Sequence, residues 1–318
     1  MKSDPLVSIC IPAYNASKYI RYTINSLLEQ SYHNIEIIIV DDESDDDTFN
    51  IIKEFDSSKI KVFSQKNSGA GAARNKAFES SCGSLIKYMD ADDLLNRDAI
   101  YQQVKLHKQY PNAIISGKWG RFYGPDTSNF TESPESVWKN MSSIEWITDS
   151  WRQGPNMTQP GIFLIPRKLI EDSGGWVIEL SKGPNDDMEF FTRLILASKQ
   201  IFFCPESTLF YRSGIVGSLS KKKDKLGLEM AYKTVLMAGY ELLKKEDSKK
   251  TREAFATQVK SIIFDAYPEH IELYNKAKIE LTKLGGSDFE YQTGGITKIL
   301  SKVFGWRAAK RIKQILGR

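Results

Sequence analysis

The stretch Leu85-Ile86-Lys87-Tyr88-Met89-Asp90-Ala91-Asp92-Asp93-Leu94-Leu95 organises the chain. Its apolar run leads straight into three carboxylates. That order predicts a buried strand ending at the carboxyl edge of a sheet, where open α/β folds bind ligands. If the extended geometry continues, Asp90 and Asp92 point the same way, because side chains two apart share a face. Carboxylates crowded on one side repel. A hard divalent cation relieves the repulsion, and oxygen-only ligands suit magnesium or manganese, with phosphate oxygens completing the shell. The alternative is an Asp-rich turn capping the next helix, a task that Asp93 or Asn96 could perform.

The residues before this stretch alternate between two periods. Residues 6–11 form a short apolar strand that Pro12 interrupts, followed by the loop Pro12-Ala13-Tyr14-Asn15-Ala16-Ser17. Tyr19, Ile20, Ile24, Leu27 and Leu28 then fall at helical spacing. Residues 35–40 are an apolar run broken only by Glu36, as expected of a central parallel strand covered on both faces. Asp41 and Asp42 end it. A helix from Phe49, a strand over 60–63, the loop Asn67-Ser68-Gly69-Ala70-Gly71 and a helix over 72–80 follow. This βα alternation predicts a Rossmann-like, mostly parallel α/β sheet with helices on both faces. Each strand end delivers a polar loop, so the chemistry collects along one edge. The segment from Gly69 to Arg74 is not a dinucleotide fingerprint, since Arg74 stands where a third glycine would be. A small-residue helix start still lets backbone approach a phosphate, with Arg74 one turn in; plain helix packing is the other reading.

Beyond residue 114 the pattern blurs. Trp119, Phe122, Tyr123, Trp138, Trp146 and Trp151 are spread among Ser, Asn, Gly and Pro, and could form a sugar-stacking surface or local core. A second acidic site, Asn185-Asp186-Asp187, enters a helix whose apolar face is Phe190, Phe191, Leu194 and Ile195. One carboxylate can cap that helix, and the other is free to act as a general base. From Lys221 the texture becomes helical and charged. The division expected is therefore a catalytic α/β domain over 1–220 and a helical region over 221–318. Residues 296–318 carry Ile299, Leu300, Val303, Phe304, Ile312, Ile315 and Leu316 at helical spacing, with Lys298, Lys302, Arg307, Lys310, Arg311, Lys313 and Arg318 and no acid. Such a helix suits peripheral contact with a membrane surface, or packs on its own domain with a solvated basic face.

The totals exclude some classes. The 318 residues carry a net charge of only +4, with ordinary hydrophobic and charged fractions of 41% and 26%. Three well-separated cysteines, Cys10, Cys82 and Cys204, suggest a reducing compartment and no disulfide framework. His33, His107 and His270 are scattered, so no zinc cluster is expected. The N-terminus lacks a signal-peptide pattern and no apolar run is long enough to span a bilayer, so a cytoplasmic location is expected, with the membrane reached from its cytosolic face if at all.

The motifs together are more specific than any one of them. Val7-Ser8-Ile9-Cys10-Ile11-Pro12-Ala13-Tyr14-Asn15 resembles the opening strand and loop of family 2 glycosyltransferases, which have the GT-A fold. Val40-Asp41-Asp42-Glu43-Ser44 with Thr48 resembles their second strand end, and Asn67-Ser68-Gly69 with Ala73-Arg74-Asn75 their third loop and helix. Asp90-Ala91-Asp92-Asp93 is similar to their metal-binding DxD motif, and Asn185-Asp186-Asp187 to their acidic pair before a helix. The resemblance covers about the first two-thirds of the chain.

It implies an inverting, metal-dependent transfer of a sugar from a nucleotide-diphosphate sugar to a saccharide or lipid-linked acceptor, with Mn2+ or Mg2+ as cofactor and no nucleic-acid partner. Pro12, Tyr14, Asn15 and Asp42 would meet the nucleobase, commonly uracil in this family, with Asp41 supporting their loop. Gly69 and Arg74 would approach the phosphates or shape the pocket. Asp90 with Ala91 would contact the ribose, and Asp92 with Asp90 the metal, Asp93 being a further metal partner. Asp187 would be the base. Departures from the family pattern are Glu43 and Asp47 in place of small residues, Asp186 in place of Glu, and no histidine after Tyr211-Arg212. Two competing readings are a sugar-phosphate nucleotidyltransferase and a nucleotide-sugar-binding module that has lost its chemistry. Pro12–Ser17 lacks the basic, glycine-rich character that the former needs.

Overall fold

The computed structural model describes residues 4–154, 158–215 and 223–315. Its first part is the expected alternation: β1 (Val7–Ala13), α1 (Ile20–Leu28), β2 (Ile35–Asp41), α2 (Thr48–Lys53), β3 (Ile60–Ser64), α3 (Ala70–Glu79) and β4 (Leu85–Tyr88). These strands lie side by side in the order β3-β2-β1-β4, all parallel. Every residue of β2 is buried, as a strand covered on both faces requires. Pro12 does not end β1. Pairing with β4 stops at Cys10, so the strand runs on beside β2 alone, pairing Pro12 with Val40 and Ala13 with Asp41. A proline is tolerated where a strand has lost one neighbour.

The sheet then changes direction. β5 (Leu94–Leu95), α4 (Ala99–Gln109), β6 (Ile114–Phe122), β7 (Thr131–Glu132), β8 (Met141–Ser142), α5 (Ser143–Arg152), β9 (Phe163–Pro166), α6 (Arg167–Ser173), α7 (Asp186–Ser198) and β10 (Gln200–Arg212) complete it. The order continues β4-β9-β6-β10-β5. β9 runs antiparallel to both β4 and β6, while β6 and β10 are parallel. β10 is one long strand, which shifts register between Phe203 and Thr208 to pass Pro205.

The middle region turns out to be core. Trp119, Trp146 and Trp151 are buried, and Trp138 stacks on Phe203. Tyr123 alone of the six aromatics is exposed. β6 carries two glycines because it is crowded: a Cβ at Gly117 would stand 2.7 Å from the Ser207 carbonyl oxygen, and one at Gly120 would meet the Thr131 carbonyl and the Phe130 ring.

The C-terminal helices are α8 (Lys225–Lys245), α9 (Lys249–Ala266), α10 (Ile271–Lys283) and α11 (Gly295–Ile315). α8 starts at Asp224, whose carboxylate caps the Gly227 N–H, and α9 at a reciprocal Ser248–Thr251 capping box. α8 packs on α7 and α9 on α5, and one apolar cluster runs from Val7 through to Leu284. The expected boundary at 220/221 falls outside the described residues. α11 is not the continuous helix that its periodicity suggests. Gly305, at φ 78 and ψ 156, breaks it into two helical pieces. No helix among the described residues is long and apolar enough to cross a membrane.

Candidate active site

The loop after β4 is pinned from both sides. Thr23 Oγ1, on α1, donates to the Ala91 carbonyl at 3.0 Å. Arg212, the last residue of β10, donates from Nε to the Asp92 carbonyl at 2.8 Å, and its own backbone N–H donates to Asp93 Oδ1 at 2.9 Å. The Arg212 guanidinium also donates to the Gly124 carbonyl and lies over Phe122 and Tyr19, 4.4 and 4.9 Å from their centroids. Asp93 is therefore buried, with one of its carboxyl oxygens held by the Arg212 N–H.

Asp92 is different. Among the described residues, none donates a side-chain hydrogen bond to its carboxyl group. Burial, and then the charge of Asp90, pushes its pKa up to about 7. Asp93 is pushed up in the same sense, by burial and then by Asp92. Asp90 has a partner: Arg74 Nη2 donates to its Oδ1 at 2.8 Å.

Arg74 joins the two acidic motifs. From α3 its buried guanidinium reaches Asp90 on one side and Asp186 on the other, at 3.4 Å from Nη1. Its flat face lies 4.3 Å from the Trp176 ring, which stacks on Phe190. Ser181 Oγ donates to Asp186 at 2.7 Å and accepts from the Gly71 N–H at 2.9 Å. A Cβ at Gly71 would fall 2.3 Å from that oxygen, so glycine is what lets α3 come this close. The carboxylates thus hold two of the guanidinium nitrogens that a phosphate would use, and Nε has no partner among the described residues.

Asn185 adopts a left-handed conformation, φ 68, and turns the chain into α7. Asp186 faces inward to Arg74 and Ser181, which leaves Asp187 as the free member of the pair. Among the described residues its Oδ1 accepts only from the Met188 N–H, at 3.0 Å. Burial, then the charge of Asp186, pushes Asp187 up to about 8. A carboxyl held that far above its ordinary range, once deprotonated, is a much stronger proton acceptor than an exposed aspartate.

The expected nucleotide side sits at the ends of β1, β2 and β3. Both Asp42 oxygens accept from the following loop: Oδ1 from Ser68 N–H and Gln65 Nε2, Oδ2 from Gly69 N–H at 2.8 Å. Gly69 takes φ 89 to make that approach. Asp41 accepts from Ser44 N–H and Oγ, at the start of the same loop. Asn15, at φ 49, crosses to the same loop, accepting from Asp45 N–H and donating its own N–H to Ser44. Tyr14 is exposed beside Asp45, and Pro12 is half-buried. Arg212, Ser181, Trp176 and Thr23 are the residues that sequence reasoning missed, because each acts on a partner far away in the chain.

Among the described residues, no three His, Cys, Asp or Glu side chains converge as a self-sufficient metal cage. The residues do suit a cation shared with a ligand. Asp92 makes no ion pair among the described residues, feels the Arg212 charge only through space, and stands beside a second carboxylate, and the donor set is all oxygen. A cavity of about 480 Å³ between α8 and α10, lined in part by Tyr232, His270 and Lys276, includes none of these carboxylates.

A family model described as glycosyl transferase family 2 matches residues 8–174. The chain belongs to this family. It is a glycosyltransferase, and that membership sets aside the nucleotidyltransferase reading. It is 31% identical over 185 residues to the putative teichuronic acid biosynthesis glycosyltransferase TuaG of Bacillus subtilis, covering 56% of this chain and 73% of that one. It is 38% identical over 139 residues to the Escherichia coli UDP-Glc:alpha-D-GlcNAc-diphosphoundecaprenol beta-1,3-glucosyltransferase WfgD, covering 41% of this chain and 55% of that one. The crystal structure of S. aureus TarS 1-349 in complex with UDP superposes with a TM-score of 0.63 at 17% identity, covering 98% of this chain and 92% of that one. At that identity the likeness concerns the fold, which is GT-A-like.

Proposed function

We propose that this family 2 glycosyltransferase is an inverting enzyme that uses a divalent cation, moving a sugar from a uridine-diphosphate sugar to a hydroxyl of a saccharide or lipid-linked acceptor. The observation that carries the reading is the Arg74 bridge. It holds the DxD carboxylate Asp90 and the Asp186-Asp187 pair in one cluster, so the donor's diphosphate and the acceptor's hydroxyl have adjacent places to sit. TarS with bound UDP, and WfgD, named for UDP-Glc and a diphosphoundecaprenol-linked acceptor, support the choice of donor and acceptor class.

In this reading Asp92 and Asp90 hold Mn2+ or Mg2+, which when bound offsets the charge of the diphosphate leaving group. Asp187 accepts the acceptor's hydroxyl proton. The acceptor oxygen bonds to the anomeric carbon as the bond to the diphosphate breaks, and a single displacement inverts that carbon. Pro12, Tyr14, Asn15, Asp41, Asp42 and Gly69 frame the base, and Ala91 the ribose. Arg74 is a positioning residue: it orients Asp90 and Asp186 and leaves Asp187 free.

The test is a screen of UDP-sugars for donor hydrolysis and transfer, with added Mn2+ or Mg2+ and after chelation. The reading expects turnover with at least one UDP-sugar and its loss on chelation. Turnover unaffected by a chelator would overturn the cation's role. An absence of binding by any uridine nucleotide would overturn the donor.

A further inference from the structure

The two pieces of α11 have opposite surroundings. After the Gly305 break, Trp306 packs edge-on against Phe264 and Tyr267, with centroids 4.9 and 5.4 Å apart, and Ala309 is fully buried. Lys310 donates to the Phe264 carbonyl, and Arg311 lies over Tyr267. This piece is fastened to the body. Before the break, Ile299, Val303 and Phe304 are 64%, 66% and 64% exposed. With Leu300 they recur at helical spacing and form one apolar stripe. Among the described residues none of the four joins the apolar cluster, although Trp306 does. Gly294, Gly295 and Gly305 flank the stripe, and a Cβ added to any of them would meet open space.

An apolar stripe left in water needs an occupant. Its charge identifies one. From Tyr291 to Ile315 there is no acidic residue, while Lys298 and Lys302 lie exposed on the stripe's own piece, and Arg307, Arg311 and Lys313 follow it, exposed as well. A second copy of this helix would bring like charges together. An anionic lipid surface instead takes both features, the stripe at the acyl boundary and the lysines among the headgroups.

We propose that residues 295–304 are an interfacial anchor, on which Ile299, Leu300, Val303 and Phe304 enter an anionic membrane surface while Trp306 and Ala309 fasten the anchor to the catalytic body. Gly305 is the joint that separates the two tasks. The proposal does not depend on the identity of donor or acceptor.

The experiment is co-sedimentation of the full chain with phosphatidylglycerol-containing vesicles and with pure phosphatidylcholine vesicles. The variants are I299S/V303S/F304S, which leaves the packed piece intact, and K298E/K302E. Wild type binds the anionic vesicles and is released by salt. Each variant loses at least tenfold in binding, while hydrolysis of a soluble donor is unchanged. Wild type that ignores anionic vesicles, or a triple-serine variant that binds like wild type, would overturn the proposal. So would a salt-resistant wild-type dimer that the triple-serine variant dissociates, since the stripe would then be a self-association face.

Discussion

Two buried arginines divide the site, and they use their charge differently. Arg74 spends its guanidinium on side chains, pairing with Asp90 and Asp186 over the Trp176 ring. Arg212 spends its guanidinium on backbone carbonyls, those of Asp92 and Gly124, over Phe122 and Tyr19. The Arg74 half therefore balances carboxylates internally. The Arg212 half fixes the backbone at Asp92, and the carboxyl there feels the Arg212 charge but makes no ion pair among the described residues. In the proposed reading, the difference separates a positioning ion pair from a cation site.

The largest effect is expected at the carboxyl that Arg74 leaves free. Asp187→Asn should lower turnover by about a hundredfold or more, the usual scale for a general base, with UDP binding near wild type. The same change should raise the melting temperature above pH 7. A carboxyl whose folded pKa is about 8 loses folded-state stability as pH rises from the unfolded value through 8, and Asn removes that cost. Unchanged turnover with a lowered melting temperature would make Asp187 a helix cap.

Next come the arginines themselves. Arg74→Met strips a buried partner from Asp90 and Asp186 and should cost about 3–5 kcal/mol of stability in denaturant unfolding, the range for breaking a buried pair from one side. Arg212→Met should instead show its main effect on cation-dependent donor affinity, because it frees the Asp92 backbone. If both variants lost stability alike and donor affinity alike, the two halves would not differ.

The pH profile sharpens the same point. Without cation or donor, Asp187 is protonated below about pH 8, so kcat/KM should rise with pH toward that value, and a bound cation should draw the midpoint lower. A profile flat from pH 6 to 9 would contradict this.

Lys87 is a third buried cation, with neither a carboxylate nor a role at the edge. It donates to Gln103 Oε1 at 2.9 Å and lies 3.3 Å from the Phe163 carbonyl, and burial lowers its pKa to about 7. The unfolded chain holds that proton up to the ordinary lysine range. Lys87 should therefore add a slope that raises wild-type stability with pH above 7 and levels off in that range, against the fall that Asp187 gives up to about 8. Lys87→Met should abolish the slope, as read by unfolding at a series of pH values.

The parallel half of the fold was legible because its strands are short apolar runs that end in polar loops, and each run fell where a strand lies. The middle was not. Gly117 and Gly120 break the apolar pattern of β6 for the sake of Ser207, Phe130 and Thr131, contacts that depend on tertiary structure. The acidic motifs were visible in the sequence, but not which of their members would be free. Asp93 accepts from the Arg212 N–H 119 residues away, and Asp186 from Arg74 112 residues away, partners that exist only after folding. The tail's periodicity was real, but one glycine at φ 78 divides it.

The central claim is that Asp92 stands ready for a cation that arrives with the nucleotide. Calorimetric titration of UDP into wild type and Asp92→Asn, each with Mn2+ and with chelator, tests it directly. The account predicts tight UDP binding only for wild type with Mn2+, weakened at least tenfold by chelator or by the substitution, on the scale of about 1.4 kcal/mol per decade. Equal UDP affinity under all four conditions would contradict it.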